Sequence, residues 1–139
     1  MKFILFILFI FEISFSQNRF QIKPKYSYLK LIGTWAFQSM ETVTYSEQND
    51  REIVLKDEQN TETLSFHRSG SLSFETLNNG SLKKGRGIWK VNDNHLIIFA
   101  NEDTVDASYK IENNILEIST TEKESVNYFG YKTIVTYVK

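Results

Sequence analysis

His67, His95 and seventeen Asp and Glu side chains are the residues with which this chain could bind a metal or move protons. A zinc centre draws on about four ligands, usually with a local pair such as His-x-x-x-His. His67 and His95 lie far apart, each beside a polar turn, and read as solvated. The chain has no Cys, so thiolate ligands and thiol nucleophiles are excluded. No metal site is expected. Paired carboxylates do the acid–base work of glycoside hydrolysis. The tightest acidic group, Glu102, Asp103 and Asp106, reads as a solvated loop whose spacing is not that of a calcium loop. No nucleophile elbow, phosphate loop or dinucleotide fingerprint is present. Gly85 and Gly87 form a lone Gly-x-Gly inside a strand pattern and read as a bend or bulge. The expectation is a binding protein without a cofactor or a catalytic residue, not an enzyme.

The remaining candidates are aromatic: Trp35, Phe37, Phe66, Phe74, Trp89, Tyr131 and Tyr137. Such side chains line apolar ligand sites, where a hydroxyl from Tyr131 or Tyr137 would fix the ligand's orientation. They equally fill cores by cross-strand packing. Tyr128, Phe129, Tyr131 and Tyr137 fall on both faces of one late run, which fits the packing role. Both readings stand at the level of sequence.

The elements that must position these residues are strands. Trp35 and Phe37 alternate with polar or small neighbours, as do Leu64 and Phe66, Leu72 and Phe74, Leu96 and Ile98, Tyr109 and Ile111, and Leu116 and Ile118. Period-two alternation marks half-buried strands, and no stretch carries a helical period. Turn residues separate the runs: Ser69-Gly70, Asn79-Gly80, Asp93-Asn94 and Asn113-Asn114. Asn-Gly tolerates positive φ at both positions and is a strong hairpin signal. The turn residues therefore account for Asn79-Gly80-Ser81 without a glycan, although it is formally a glycosylation sequon. The predicted strands are 34–45, 51–56, 62–67, 71–77, 82–91, 95–99, 106–111, 115–120 and 126–138. The 51–56 run could instead be a short helix capped by Asn49-Asp50, but β-branched Ile53 and Val54 favour a strand. A helical turn is predicted within 26–32. A meander of eight or nine strands leaves two edges, and pairing the long last strand with the long first one removes them. This favours an all-β antiparallel barrel over a two-sheet sandwich.

Residues 1–16 form a separate unit: Lys2, an apolar run over 3–11, then Ser14 and Ser16 before Gln17. This is the pattern of a cleaved secretory signal peptide. The apolar run is about half of what a membrane span needs, so no anchor should persist after cleavage. The predicted organisation is a signal peptide over 1–16, a lead over 17–28 and one β-barrel domain over 29–139, secreted or periplasmic. Formal net charge is −1, without the basic face of a nucleic-acid binder or a membrane-surface protein.

Gly33-Thr34-Trp35 opens the first long strand, and Gly87-Ile88-Trp89 is followed by a polar turn and His95-Leu96-Ile97-Ile98. With the hairpin around Ser69-Gly70, these segments resemble bacterial secreted lipocalin-like domains over about residues 29–120. The resemblance implies that Trp35 closes one end of the barrel, with Gly33 allowing the tight approach. In many lipocalins a late-strand Arg packs over that Trp. This chain has no Arg after Arg86, and Lys132 is the nearest late-strand cation. The chain is shorter than animal lipocalins and lacks their C-terminal helix. Its eight-strand interior would be filled by side chains or would hold one small ligand. The leading expectation is an exported module for a small apolar or amphipathic ligand. The alternative is a protein-interaction domain with a filled core, acting through the polar connections at 46–50 and 56–61.

Overall fold

The computed structural model describes residues 28–46, 48–126 and 129–139. The expected signal peptide, nearly all of the lead, and Tyr128 lie outside the described residues.

One helical turn, α1 (Tyr28–Leu31), precedes nine strands: β1 (Gly33–Thr44), β2 (Arg51–Leu55), β3 (Asn60–Phe66), β4 (Ser71–Asn78), β5 (Ser81–Asn92), β6 (His95–Ala100), β7 (Asp103–Glu112), β8 (Ile115–Glu122) and β9 (Tyr131–Val138). All strand pairs are antiparallel. The ladder runs from β3 to β9 in sequence order, and β1 joins β3 to β9. Eight strands therefore close into a barrel, and β2 is a ninth strand attached to β1 alone. Closure satisfies the backbone groups that an open sheet would leave exposed. The long first and last strands do pair, from Ala36 opposite Val138 to Thr44 opposite Tyr131.

Alternation puts one face of each strand inside. Trp35, Phe37, Leu64, Phe66, Leu72, Phe74, Trp89, Leu96, Ile98, Leu116, Ile118, Val135 and Tyr137 are all buried in one core. Parity would fail along β1 without a register shift between Phe37 and Ser39. That extra residue returns Met40 to the interior, where it is buried.

Three sequence expectations need correction. Of the bend or bulge expected at Gly85 and Gly87, the bulge is absent: β5 pairs with β4 in unbroken register through both, and with β6 from Gly87 onward. The glycines instead make room. A Cβ on Gly85 would overlap the Phe74 ring, and one on Gly87 would overlap the Phe99 carbonyl. The acidic loop at Glu102, Asp103 and Asp106 is also absent. Asn101 and Glu102 both take positive φ in a two-residue turn, so Asp103 and Asp106 belong to β7. Finally, β9 begins at Tyr131 instead of residue 126. Val126 and Phe129 are exposed, and Gly130 crosses so near the backbone of Glu122 and Glu124 that a side chain would not fit.

Candidate functional site

The barrel has two unlike ends. At one end the connections are short, at 67–70, 93–94 and 113–114, and the chain itself covers the opening. Leu31 of α1 is fully buried there, and its carbonyl accepts a hydrogen bond from Trp35 Nε1 at 2.7 Å. Gly33 has φ 130°, and a Cβ there would meet Lys139. Lys139 donates to the Ile32 carbonyl at 2.8 Å and holds its ammonium 5.1 Å from the centre of the Trp35 ring. The cation over Trp35 is therefore Lys139, not Lys132. The cause is register: Lys132 pairs with Val43 at the other end of β1. Trp89 and Phe66 complete this end, meeting edge to face at 5.4 Å, with Trp89 Nε1 donating to the His67 carbonyl. Trp35, Phe66 and Trp89 thus form a plug.

The other end carries the two-residue turns 79–80 and 101–102 together with the longer connections 45–50 and 123–130, and 56–59 joins β2 to β3. Here the inward positions become polar. Glu62 is 6% exposed and Thr76 and Thr133 are each 1% exposed. Thr42 and Thr133 are inward partners across the β1–β9 ladder, with hydroxyls 3.5 Å apart. Glu62 faces Thr76 across the β3–β4 ladder. The Tyr137 hydroxyl donates to Glu62 Oε1 at 2.5 Å. Burial raises the Glu62 carboxyl to about 7, against the opposing effect of the Tyr137 hydrogen bond. Tyr137 is itself pushed well above the usual phenol range, by burial first and then by the neighbouring carboxylate. The Thr76 hydroxyl and the Asn78 side-chain carbonyl are buried without a hydrogen-bond partner.

Glu62 stands where the wall changes. Pairing of β1 with β3 stops at Ala36 opposite Thr63, one residue short of Glu62. From Ser39 onward, that edge of β1 pairs with β2. No ladder joins β2 to β3. A seam between these two strands therefore runs beside Glu62.

Of the predicted ligand-binding residues, the structure brings Phe37, Tyr137 and Phe74 toward this half. Phe37 meets Tyr137 edge to face at 6.2 Å, and Phe74 covers Gly85. Tyr131 is half-buried at the rim, where its strand begins. Trp35, Phe66 and Trp89 lie at the plugged end. Sequence reasoning missed Glu62, Thr76 and Thr133. The signal was present: the parity that buries Leu64 and Phe66 also buries Glu62, and that of Leu72 and Phe74 buries Thr76.

Elsewhere, His67 contacts the Ser73 hydroxyl and His95 contacts Asp106, both on the exposed surface. No cluster of three metal-ligating side chains occurs among the described residues. Two surface concavities open on the outer wall, one along Ile88, Phe99 and Thr104, the other along Thr63, Ser73, Glu75 and Lys84; Glu62 lines neither.

An eight-stranded antiparallel meander closed by its first and last strands, with a Gly-x-Trp strand plugging one end, decides the architecture. The fold is lipocalin-like. No family profile and no curated protein sequence matches the chain. Solved structures similar to it include apocrustacyanin C1, with 15% identity, TM-score 0.47, and coverage of 78% of this chain and 60% of that one. Apocrustacyanin C2 gives 14% identity, TM-score 0.47 and coverage of 78% and 60%. Lobster apocrustacyanin A1 gives 13% identity, TM-score 0.44 and coverage of 80% and 61%. This lipocalin-like barrel thus spans about 60% of the length of those chains. Likenesses of that size speak to no function, and the fold rests on the strand pairing itself.

Proposed function

We propose that this protein is exported and holds one small amphipathic molecule in the open half of its barrel. One observation carries the reading: Glu62, Tyr137, Thr76 and Asn78 bring buried polar groups into the barrel beside its apolar core. Ligand sites are typically apolar, with a few convergent polar groups. Buried carboxyls with raised pKa values cluster at functional sites. A carboxyl here serves no packing need that Leu or Met would not meet better. The apolar part of the ligand would lie against Phe37, Phe74 and Val135, inward residues of the adjoining strands. The plugged end makes the site one-sided. Export rests on the sequence pattern of residues 1–16.

Native mass spectrometry of the protein recovered from the periplasm of an expression host tests both parts. The expected result is a chain beginning at Gln17 with an adduct of a few hundred daltons that denaturation removes. A bare chain that takes up no added amphiphile would overturn the ligand-binding reading. A mass that retains residues 1–16 would overturn export.

A second reading has its own observation. Ile53 and Leu55 on β2 are 52% and 65% exposed, and β2 has no strand on its far side. The two polar connections predicted as a contact surface flank this strand. Pull-down of a partner that Ile53→Lys abolishes, from a protein that binds no amphiphile, would establish the interaction domain instead.

A further inference from the structure

The chemistry of the Glu62 corner specifies the ligand's head group. This inference rests on the ligand-binding reading above. Glu62 Oε1 receives the Tyr137 hydroxyl, the one side-chain donor shown at this carboxyl. A carboxylate offers about four lone-pair positions. The Asn78 side-chain carbonyl is buried without a donor, and the Thr76 hydroxyl is buried without any partner. Register sets Thr76 opposite Glu62, and Asn78 continues the same inward face of β4. The corner therefore gathers oxygen acceptors and is short of donors, its own being the Tyr137 hydroxyl, already given to Glu62, and the Thr76 hydroxyl.

A cation from the chain does not supply them. The ion pairs Arg51–Glu41, Lys84–Glu75 and Lys110–Glu112, and the His95–Asp106 hydrogen bond, all lie at the surface. Lys83 is the nearest basic residue by register, opposite Thr76 on β5, but its side chain is exposed at the rim. Burial and the Tyr137 hydroxyl account for the state of the Glu62 carboxyl without it.

The unpaired stretch between β2 and β3 lies beside this corner. Along β1, Gln38 turns its side-chain amide back to the Phe37 carbonyl, so it is occupied away from the seam.

We propose that the Glu62 corner binds the protonated amine of an alkylamine-type amphiphile, with Glu62 as counter-ion and Thr76 and Asn78 as further acceptors. An ammonium brings three donors and one positive charge, which matches this set of oxygens. A fatty acid would bring a second carboxylate against Glu62, which the buried site disfavours. A fatty alcohol would satisfy one acceptor and leave the charge uncompensated.

Calorimetric titration of the purified protein at pH 8 with dodecylamine, dodecanol and dodecanoate tests this. A charge-assisted hydrogen bond in a buried site predicts that dodecylamine binds at least about tenfold tighter than either of the others. Glu62→Gln should remove most of the margin between dodecylamine and dodecanol, with the fold checked by circular dichroism. The comparison of the three heads on the unaltered protein stands even if the variant does not fold. Equal binding of amine and alcohol, or tighter binding of dodecanoate, would overturn the head-group assignment and leave the ligand-binding barrel standing. Failure of all three to bind would overturn both.

Discussion

Glu62 makes the barrel less stable at neutral pH than its packing alone would allow. In the unfolded chain its carboxyl has the ordinary value of 4.5, and in the fold burial lifts it to about 7. Below 4.5 both states are protonated and the residue has no pH-dependent effect. Between 4.5 and 7 the folded protein still holds a proton that the unfolded chain has released, so stability falls as pH rises. Above 7 the loss is complete and amounts to about 3 kcal/mol. Glu62→Gln keeps an acceptor for the Tyr137 hydroxyl and cannot ionise. The variant should therefore gain on the wild type by about 3 kcal/mol between pH 4.5 and 8, read from urea midpoints. Parallel pH profiles would show that Glu62 is not buried in solution. Tyr137→Phe tests the same pair from the other side. It removes the hydrogen bond to the carboxylate and should cost about 2 kcal/mol at pH 8 and less at pH 4, because bonds to charged groups are the stronger ones. At the plugged end, Lys139→Ala removes a cation over Trp35 from an exposed position. It should cost no more than about 1 kcal/mol.

The strands show where alternation is sufficient and where it misleads. Inward residues at 64 and 66, 72 and 74, and 116 and 118 followed from period two alone. The same rule buried Glu62 and Thr76. Their chemistry disguised them, because strand ends are where polar residues ordinarily reach solvent. Asn101-Glu102 was missed for a related reason: Glu is a poor marker for a turn that needs positive φ. Glu102 has φ 70°, a conformation glycine takes without strain. Glu102→Gly should raise stability by about 1 kcal/mol, measured by denaturant titration, whereas Ala at the same place should not. Lys139 was invisible to sequence reasoning because its contact with Trp35 depends on long-range register. The Phe37–Ser39 shift in β1 was likewise unmarked, since neither Gly nor Pro occurs there.

At the scale of the whole molecule, closure depends on two strands from opposite ends of the domain. β9 is hydrogen-bonded on both sides, to β8 and to β1, so Val135 has partners in Ile118 and Met40. β2 has a partner on one side only, and the eight-stranded ring is complete without it. Turn spacing could suggest a meander, but which strand stood outside the ring was not legible. The 51–56 run looked like any other strand, and only the departure of β3 from β1 after Ala36 leaves β2 outside. Proline separates the two roles, because it removes a ladder hydrogen bond and is tolerated only at edges. Val135→Pro should open the barrel and cost more than about 3 kcal/mol, a large part of the stability of a domain this size. Ile53→Pro should cost about 1 kcal/mol and leave the unfolding transition cooperative. Equal losses at the two sites, read by urea unfolding followed through Trp fluorescence, would mean that β2 is part of the closed wall. β2 would then close the wall beside Glu62, where β3 parts from β1.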